Sequence, residues 1–185
     1  KARLEQWRAL GSPRVSYIVI THAHPDHVGG AAAFKRATGA RIVAHRLDVE
    51  RAENAGENVE TEEERARKAA LKPAKAKKKA AKPAEKIKVD IAVEDGHRLA
   101  VEGLELQLVH APGHSPGHLC PFWPKERVLF SGDNILGVGT TVIFVAQGGS
   151  MAEYVASLRK LLKYDSQIAC PGHGPLVRQP HAKIE

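Results

Sequence analysis

Six consecutive residues, His22-Ala-His-Pro-Asp-His27, carry three imidazoles and one carboxylate. Neutral imidazole and ionised carboxylate are the side chains that zinc and related divalent ions accept as ligands. A cluster this dense exceeds what a polar turn needs, and the pattern predicts metal binding. One short segment cannot close two coordination shells, so further ligands must come from elsewhere in the chain. Three downstream motifs qualify. His114 lies in Ala111-Pro-Gly-His-Ser-Pro-Gly-His118, Asp133 in Ser131-Gly-Asp-Asn134, and His173 in Pro171-Gly-His-Gly174.

Each motif follows a stretch that reads as a strand. Val15 to Ile20 is apolar and β-branched, and it runs directly into the first cluster. Val28 to Thr38 reads as an Ala-rich helix stopped by Gly39, and Arg41 to His45 as a second strand. This strand–helix–strand order is the βαβ pattern of α/β proteins. Ahead of it, residues 1–10 read as a helix ended by Gly11 and Pro13. Later, Ile87 to Val93 alternates apolar and polar residues. Leu99–Val101 and Leu104–Val109 flank Glu102-Gly103 as a hairpin. His118–Trp123 and Arg127–Phe130 form a second hairpin around Pro124-Lys125-Glu126. Thr140 to Val145 is expected to be a strand, with Thr140 and Thr141 either starting it or rimming a pocket. Ser150 and Glu153 make a capping box for a helix whose Met151, Tyr154, Val155, Leu158, Leu161 and Leu162 recur at helical spacing. Gln167 to Cys170 is the last strand expected. Ligands in loops held by a rigid scaffold are the usual construction of an active site.

Taken together and in this order, HxHxDH, GHSPGH, GD and PGHG resemble the motifs of the metallo-β-lactamase superfamily. The resemblance runs from about residue 14 to the end, with residues 50–88 as a divergent insertion. It implies an α/β fold, the four-layer αβ/βα sandwich, in a single domain over residues 1–185. Family members carry several strands before the first motif, whereas only one helix precedes Val15 here. The resemblance therefore implies a fold lacking part of the N-terminal sheet. It also implies two divalent ions, zinc above all, with manganese or iron as alternatives. His22, His24 and His114 would hold the first ion, Asp26, His27 and His173 the second, and Asp133 would bridge them. A hydroxide between the ions would be the nucleophile, oriented by Asp26 as the catalytic carboxylate.

Finer details sort the relatives. Asp133 stands where zinc β-lactamases carry a cysteine, which disfavours antibiotic hydrolysis. His24 stands where oxygen-reducing di-iron relatives carry a glutamate, which disfavours redox chemistry. The stretch Ser131–Thr141 with Pro171–Pro175 is similar to the β-lactamase-like protein 2 group, whose mitochondrial members cleave single-stranded RNA. The leading expectation is a metal-dependent phosphodiesterase acting on RNA. The alternatives are hydrolysis of a small thioester or ester, as in glyoxalase II-like relatives, and a truncated metal-binding protein without turnover. His118 is expected to support the site rather than bind metal. Nothing resembles a nucleophile elbow or a Ser-His-Asp triad.

Composition narrows the partners. The 185 residues carry a net charge of +7. Residues 65–88 alone hold eleven Lys/Arg and one Glu, a charge of +10, so the remainder carries −3. The basic balance thus describes one Lys-, Ala- and Pro-rich segment, preceded by seven Glu within residues 50–64. It reads as a solvated insertion loop, or as an arm for a polyanion such as RNA. A hydrophobic fraction of 43% excludes a wholly disordered chain. The absence of any apolar run of about 18 residues leaves no expected membrane span. Two cysteines are too few for a disulfide scaffold. With no export signal read at Lys1, an intracellular setting is expected, cytoplasmic or mitochondrial, with no obligate protein partner.

Overall fold

A computed structural model describes residues 2–54 and 86–185. Among the described residues, nine strands form two sheets. The first contains β1 (Tyr17–Val19), β2 (Arg41–His45) and β3 (Ile91–Val93), all parallel. The second contains, in spatial order, β4 (His97–Val101), β5 (Leu104–His110), β6 (Leu119–Trp123), β7 (Val128–Gly132), β8 (Ile168–Pro171) and β9 (Val177–Arg178). Its pairs are antiparallel except β7 with β8. The helices are α1 (Ala2–Ala9), α2 (Pro25–Val28), α3 (Ala31–Thr38), α4 (Val49–Asn54), α5 (Met151–Leu161) and α6 (Pro180–Ile184). No helix among the described residues is long and apolar enough to cross a membrane.

Strand alternation explains how these elements stack. In β2, Val43 points to one face while Ile42 and Ala44 point to the other. Val43 joins Val93, Leu99, Leu108 and Leu119 in a core between the two sheets. Ile42 and Ala44 join Ile20, Val28 and Ala31 in a second core, under α2 and α3. On the far side, Val109, Cys120, Leu129 and Ala169 pack against Leu158 and Leu161 of α5. Three apolar interfaces therefore separate four layers, helix–sheet–sheet–helix. Because both faces of β2 are covered, four of its five residues are buried.

Several boundaries differ from the sequence reading. The expected helix over Val28–Thr38 is two pieces, because Gly29-Gly30 intervenes and Pro25 starts an earlier turn. Pro fits the first helical position, where its missing N–H is not needed. Asp26 and His27 thus sit on the short helix α2 rather than in an open loop. The strand expected at Thr140–Val145 does not form. Its polar groups bind the site instead of a neighbouring strand, and the chain turns through a 3-10 segment at Val145–Gln147. At both ends of the insertion expected over residues 50–88, the described residues pack on the fold. Ala52 on α4 is buried, Ile87 is buried, and Glu53 accepts a hydrogen bond from the Val89 N–H at 2.9 Å. Residues 55–85, which hold most of the charge run, lie outside the described residues.

Candidate metal centre

The seven candidate ligands converge at one end of the two sheets. β1 delivers His22 and His24, and α2 delivers Asp26 and His27. The turn after β5 delivers His114, the end of β7 delivers Asp133, and the end of β8 delivers His173. A bulge after Phe130 shifts the β7–β8 register, so Gly132 pairs with Pro171 and the two motifs are brought side by side.

The donor atoms form two groups joined by a third. His114 Nε2 lies 3.3 Å from His22 Nε2 and 3.0 Å from His24 Nδ1. His173 Nε2 lies 3.2 Å from His27 Nε2 and 3.0 Å from Asp26 Oδ2. Asp133 stands between them, with Oδ1 3.4 Å from His27 Nε2 and Oδ2 3.6 Å from His114 Nε2 and 3.7 Å from His173 Nε2. In each of the trios His22–His24–His114, His22–His27–Asp133 and Asp26–His27–His173, the donors lie within 4.8 Å of one another. Nitrogens bound at 2.0–2.1 Å on a tetrahedron stand about 3.3 Å apart, close to the inner spacings.

Surrounding groups fix the donors. His114 Nδ1–H donates to the Val142 carbonyl at 2.9 Å, which leaves Nε2 free to face the centre. His22 Nδ1 contacts the Thr21 hydroxyl at 3.2 Å in the same manner. The Asp133 N–H donates to His118 Nε2 at 3.1 Å, so His118 accepts from the backbone and braces Asp133. Burial with little compensation pushes the His118 imidazole down to about 3, and burial also drives His24 to about 4 and His22 far below its ordinary range. These rings are held neutral, the form that binds metal. Burial raises the Asp133 carboxyl, but the hydrogen bond and charge of His27, then His114 and His173, outweigh it and hold Asp133 below the usual range. Asp133 Oδ1 is buried and, beyond the 3.4 Å approach of His27 Nε2, is unpaired. Neutral His22 and His24 beside a buried carboxylate oxygen short of partners are a donor set that fits a divalent cation. Gly172 belongs to the same fit, because a Cβ there would strike Asp133 Oδ1 and the His27 ring.

The donors open into a cavity of about 400 Å³ lined by His24, Asp26, His114, Asp133 and His173 and, at its mouth, by Leu136, Val142 and Phe144. Thr141 lines it too, and its hydroxyl donates to the Asp133 carbonyl. Sequence reading missed the apolar mouth and one further residue, Asp48. Asp48 is 1% exposed and accepts hydrogen bonds from residues of both the first and second motifs. The available signal was a lone aspartate just past a buried strand, with no motif around it.

The sequence profile described as the Metallo-beta-lactamase superfamily matches residues 1–173. The Beta-lactamase-like protein 2 homolog of Caenorhabditis elegans is 32% identical over 177 residues, 96% of this chain and 48% of that protein. The hydroxyacylglutathione hydrolase of Pseudomonas aeruginosa is 33% identical over 161 residues, 85% of this chain and 48% of that protein. The chain spans about half the length of these curated relatives. The crystal structure of TTHA1623 in a di-iron-bound form superposes with a TM-score of 0.73 at 30% identity, covering 98% of this chain and 81% of that one. The layered fold, the four motifs in their expected order and these matches agree that the chain belongs to the metallo-beta-lactamase superfamily.

Proposed function

We propose that the chain forms the catalytic part of a binuclear metal-dependent hydrolase acting on a small acyl thioester or ester. His22, His24 and His114 would hold one ion, Asp26, His27 and His173 the other, and Asp133 both. Two divalent ions held there would supply hydroxide at neutral pH and polarise the scissile carbonyl. The chain's own residues set the rest. Asp26, with 59% of its side chain exposed, lines the cavity and is placed to orient water and receive its proton. The Val142 carbonyl and His118 keep His114 and Asp133 in register.

The observation that carries the substrate class is the mouth. Leu136, Val142 and Phe144 line it, with Val142 56% and Phe144 48% exposed, and no Lys or Arg lines it among the described residues. A phosphodiester backbone calls for cationic contacts, whereas an acyl group calls for apolar ones. A relative named for hydrolysis of hydroxyacylglutathione, a thioester, supports the same choice. A second reading, cleavage of single-stranded RNA, rests on the +10 segment at residues 65–88. Zinc is the expected metal, and the di-iron form of a similar structure makes iron the alternative.

The test is turnover by purified protein loaded in turn with zinc, manganese and iron. Hydrolysis of an apolar acyl thioester is expected, falling about 10³-fold or more in Asp133→Ala, with both ions lost. Cleavage of single-stranded RNA with the thioester left intact would overturn the acyl reading.

A further inference from the structure

We infer that Asp48 is a positioning residue of this centre, whose carboxylate ties the loop carrying His22 and His24 to the loop carrying His114. The inference rests on the metal-centre reading above. Asp48 ends a 3-10 turn, Arg46–Asp48, immediately after β2. That turn is capped by His45, whose Nδ1 accepts the Leu47 N–H, so the carboxylate projects from a fixed point at the end of the central parallel strand.

It accepts three hydrogen bonds, two from residues next to candidate ligands and one from Gly117, next to the bracing His118. Oδ2 accepts the N–H of Ala23, between His22 and His24, at 3.1 Å. The same oxygen accepts the hydroxyl of Ser115, next to His114, at 3.3 Å. Oδ1 accepts the N–H of Gly117 at 3.0 Å. The inner trio draws its donors from two loops that are 90 residues apart in sequence, and the Asp48 carboxylate accepts hydrogen bonds from both. Backbone donors cannot be re-aimed without moving the loop, so the carboxylate fixes loop spacing rather than side-chain rotamers.

Two neighbours complete the device. A Cβ on Gly117 would lie 2.6 Å from Asp48 Cγ, so the second glycine of the GHSPGH motif is what admits the carboxylate. Arg51, on α4, acts on Asp48 electrostatically, and its guanidinium donates to the carbonyl of Gln147, which lines the cavity. The same segment thereby reaches a third loop. A buried carboxylate that served packing alone would be replaceable by a neutral isostere, but Asn must turn an NH₂ toward at least one of three donors.

The experiment is metal affinity by chelator competition on Asp48→Asn, Gly117→Ala, their double variant and Ser115→Ala, with Leu161→Ala as a destabilised control from the distant α5 core. Asp48→Asn and Gly117→Ala are each expected to weaken binding about 10- to 100-fold. The double variant should lose little more than the worse single, because both changes dislodge one carboxylate. Ser115→Ala, which removes one donor and adds no bulk, should lose several-fold. In turnover, kcat should fall with KM little changed. Leu161→Ala should lower Tm and leave metal affinity intact. The inference is overturned if Asp48→Asn binds both ions as the wild type does, or if it loses no more affinity than Leu161→Ala at a matched Tm. If Asp48→Asn does not fold, unchanged affinity in Ser115→Ala overturns it. Wild-type protein that binds no metal would instead defeat the metal-centre reading.

Discussion

The two halves of the molecule supply the same site by opposite routes. The half built on β1, β2 and β3 delivers four donors from one strand end, within six residues. The half built on β4 to β9 delivers three donors from three strand ends, up to 59 residues apart. Among the described residues, neither half holds a trio alone. The inner trio takes His22 and His24 from the first half and His114 from the second. The outer trio takes Asp26 and His27 from the first and His173 from the second. An ion at either position would clamp the halves together, so metal binding and sheet packing are coupled. The positions differ in setting, however. His22 and His114 are 0% and 5% exposed, whereas the Asp26 and His173 side chains are 59% and 53% exposed.

That contrast is broken or sharpened most strongly by removing the second half's ligand from each trio. His114→Ala deletes an inner ligand and leaves His22 buried beside an incomplete set. We expect both ions to be lost and turnover to fall about 10³-fold or more. His173→Ala deletes an exposed outer ligand. It should retain one ion per chain and lose about 10- to 100-fold in affinity for the other. Metal stoichiometry by elemental analysis checks both, and equal losses would show that the two positions are not graded by burial.

The seam between the halves is the next place to press. His45 closes β2 in the first sheet and His110 closes β5 in the second, and their rings stack at 3.8 Å with planes 10° apart. His45 Nδ1 accepts the Leu47 N–H, while His110 Nε2–H donates to the Pro116 carbonyl of the second motif. Burial, then His110 and Arg46, push His45 down to about 4, with Asp95 opposing. The unfolded chain, with histidine near 6.5, therefore binds more protons than the fold between pH 6.5 and 4. Stability from this ring is full above about pH 6.5 and is lost as pH falls through that window. Chelated protein should show a lower urea midpoint at pH 4.5 than at pH 7, and His45→Gln should lose less over the same interval. One such histidine can contribute at most about 1.4 kcal/mol per pH unit. An identical acid loss in the variant would place the acid sensitivity elsewhere.

The same asymmetry explains what could be read from sequence. His22 to His27 were legible because local spacing alone concentrates the donors. His114, Asp133 and His173 were legible because each sits in its own glycine-flanked motif after a strand. The four layers were expected from the resemblance of the motifs to the metallo-β-lactamase superfamily, and alternation in β2 explains how they stack. Asp48 was not legible, because its meaning arises only when two distant loops close on it. The misread strand at Thr140–Val145 has the same origin. Its apolar, β-branched run suits a strand, yet the Val142 carbonyl accepts from His114 and the Thr141 hydroxyl anchors the segment to the Asp133 carbonyl, so it follows the site rather than a strand neighbour. Local pattern predicts local structure until a tertiary partner competes for the same backbone groups.

The smallest effect is expected where the composition is most extreme. Removing residues 65–85 takes out nine of the eleven basic residues of the Lys-rich run and spares Lys86, Lys88 and the buried Ile87. The seven candidate ligands, Asp48 and the apolar mouth all lie outside that stretch. Metal stoichiometry and thioester turnover should therefore stay within about twofold of the full chain. RNA is where the deletion separates the readings. If the segment captures phosphates, every phosphate that the shortened chain leaves unneutralised should lower the slope of log affinity against log salt by about 0.7 for a single strand. A full chain that binds RNA with an unchanged slope after deletion would assign that binding to the folded halves, and the neutral mouth would no longer argue for an acyl substrate.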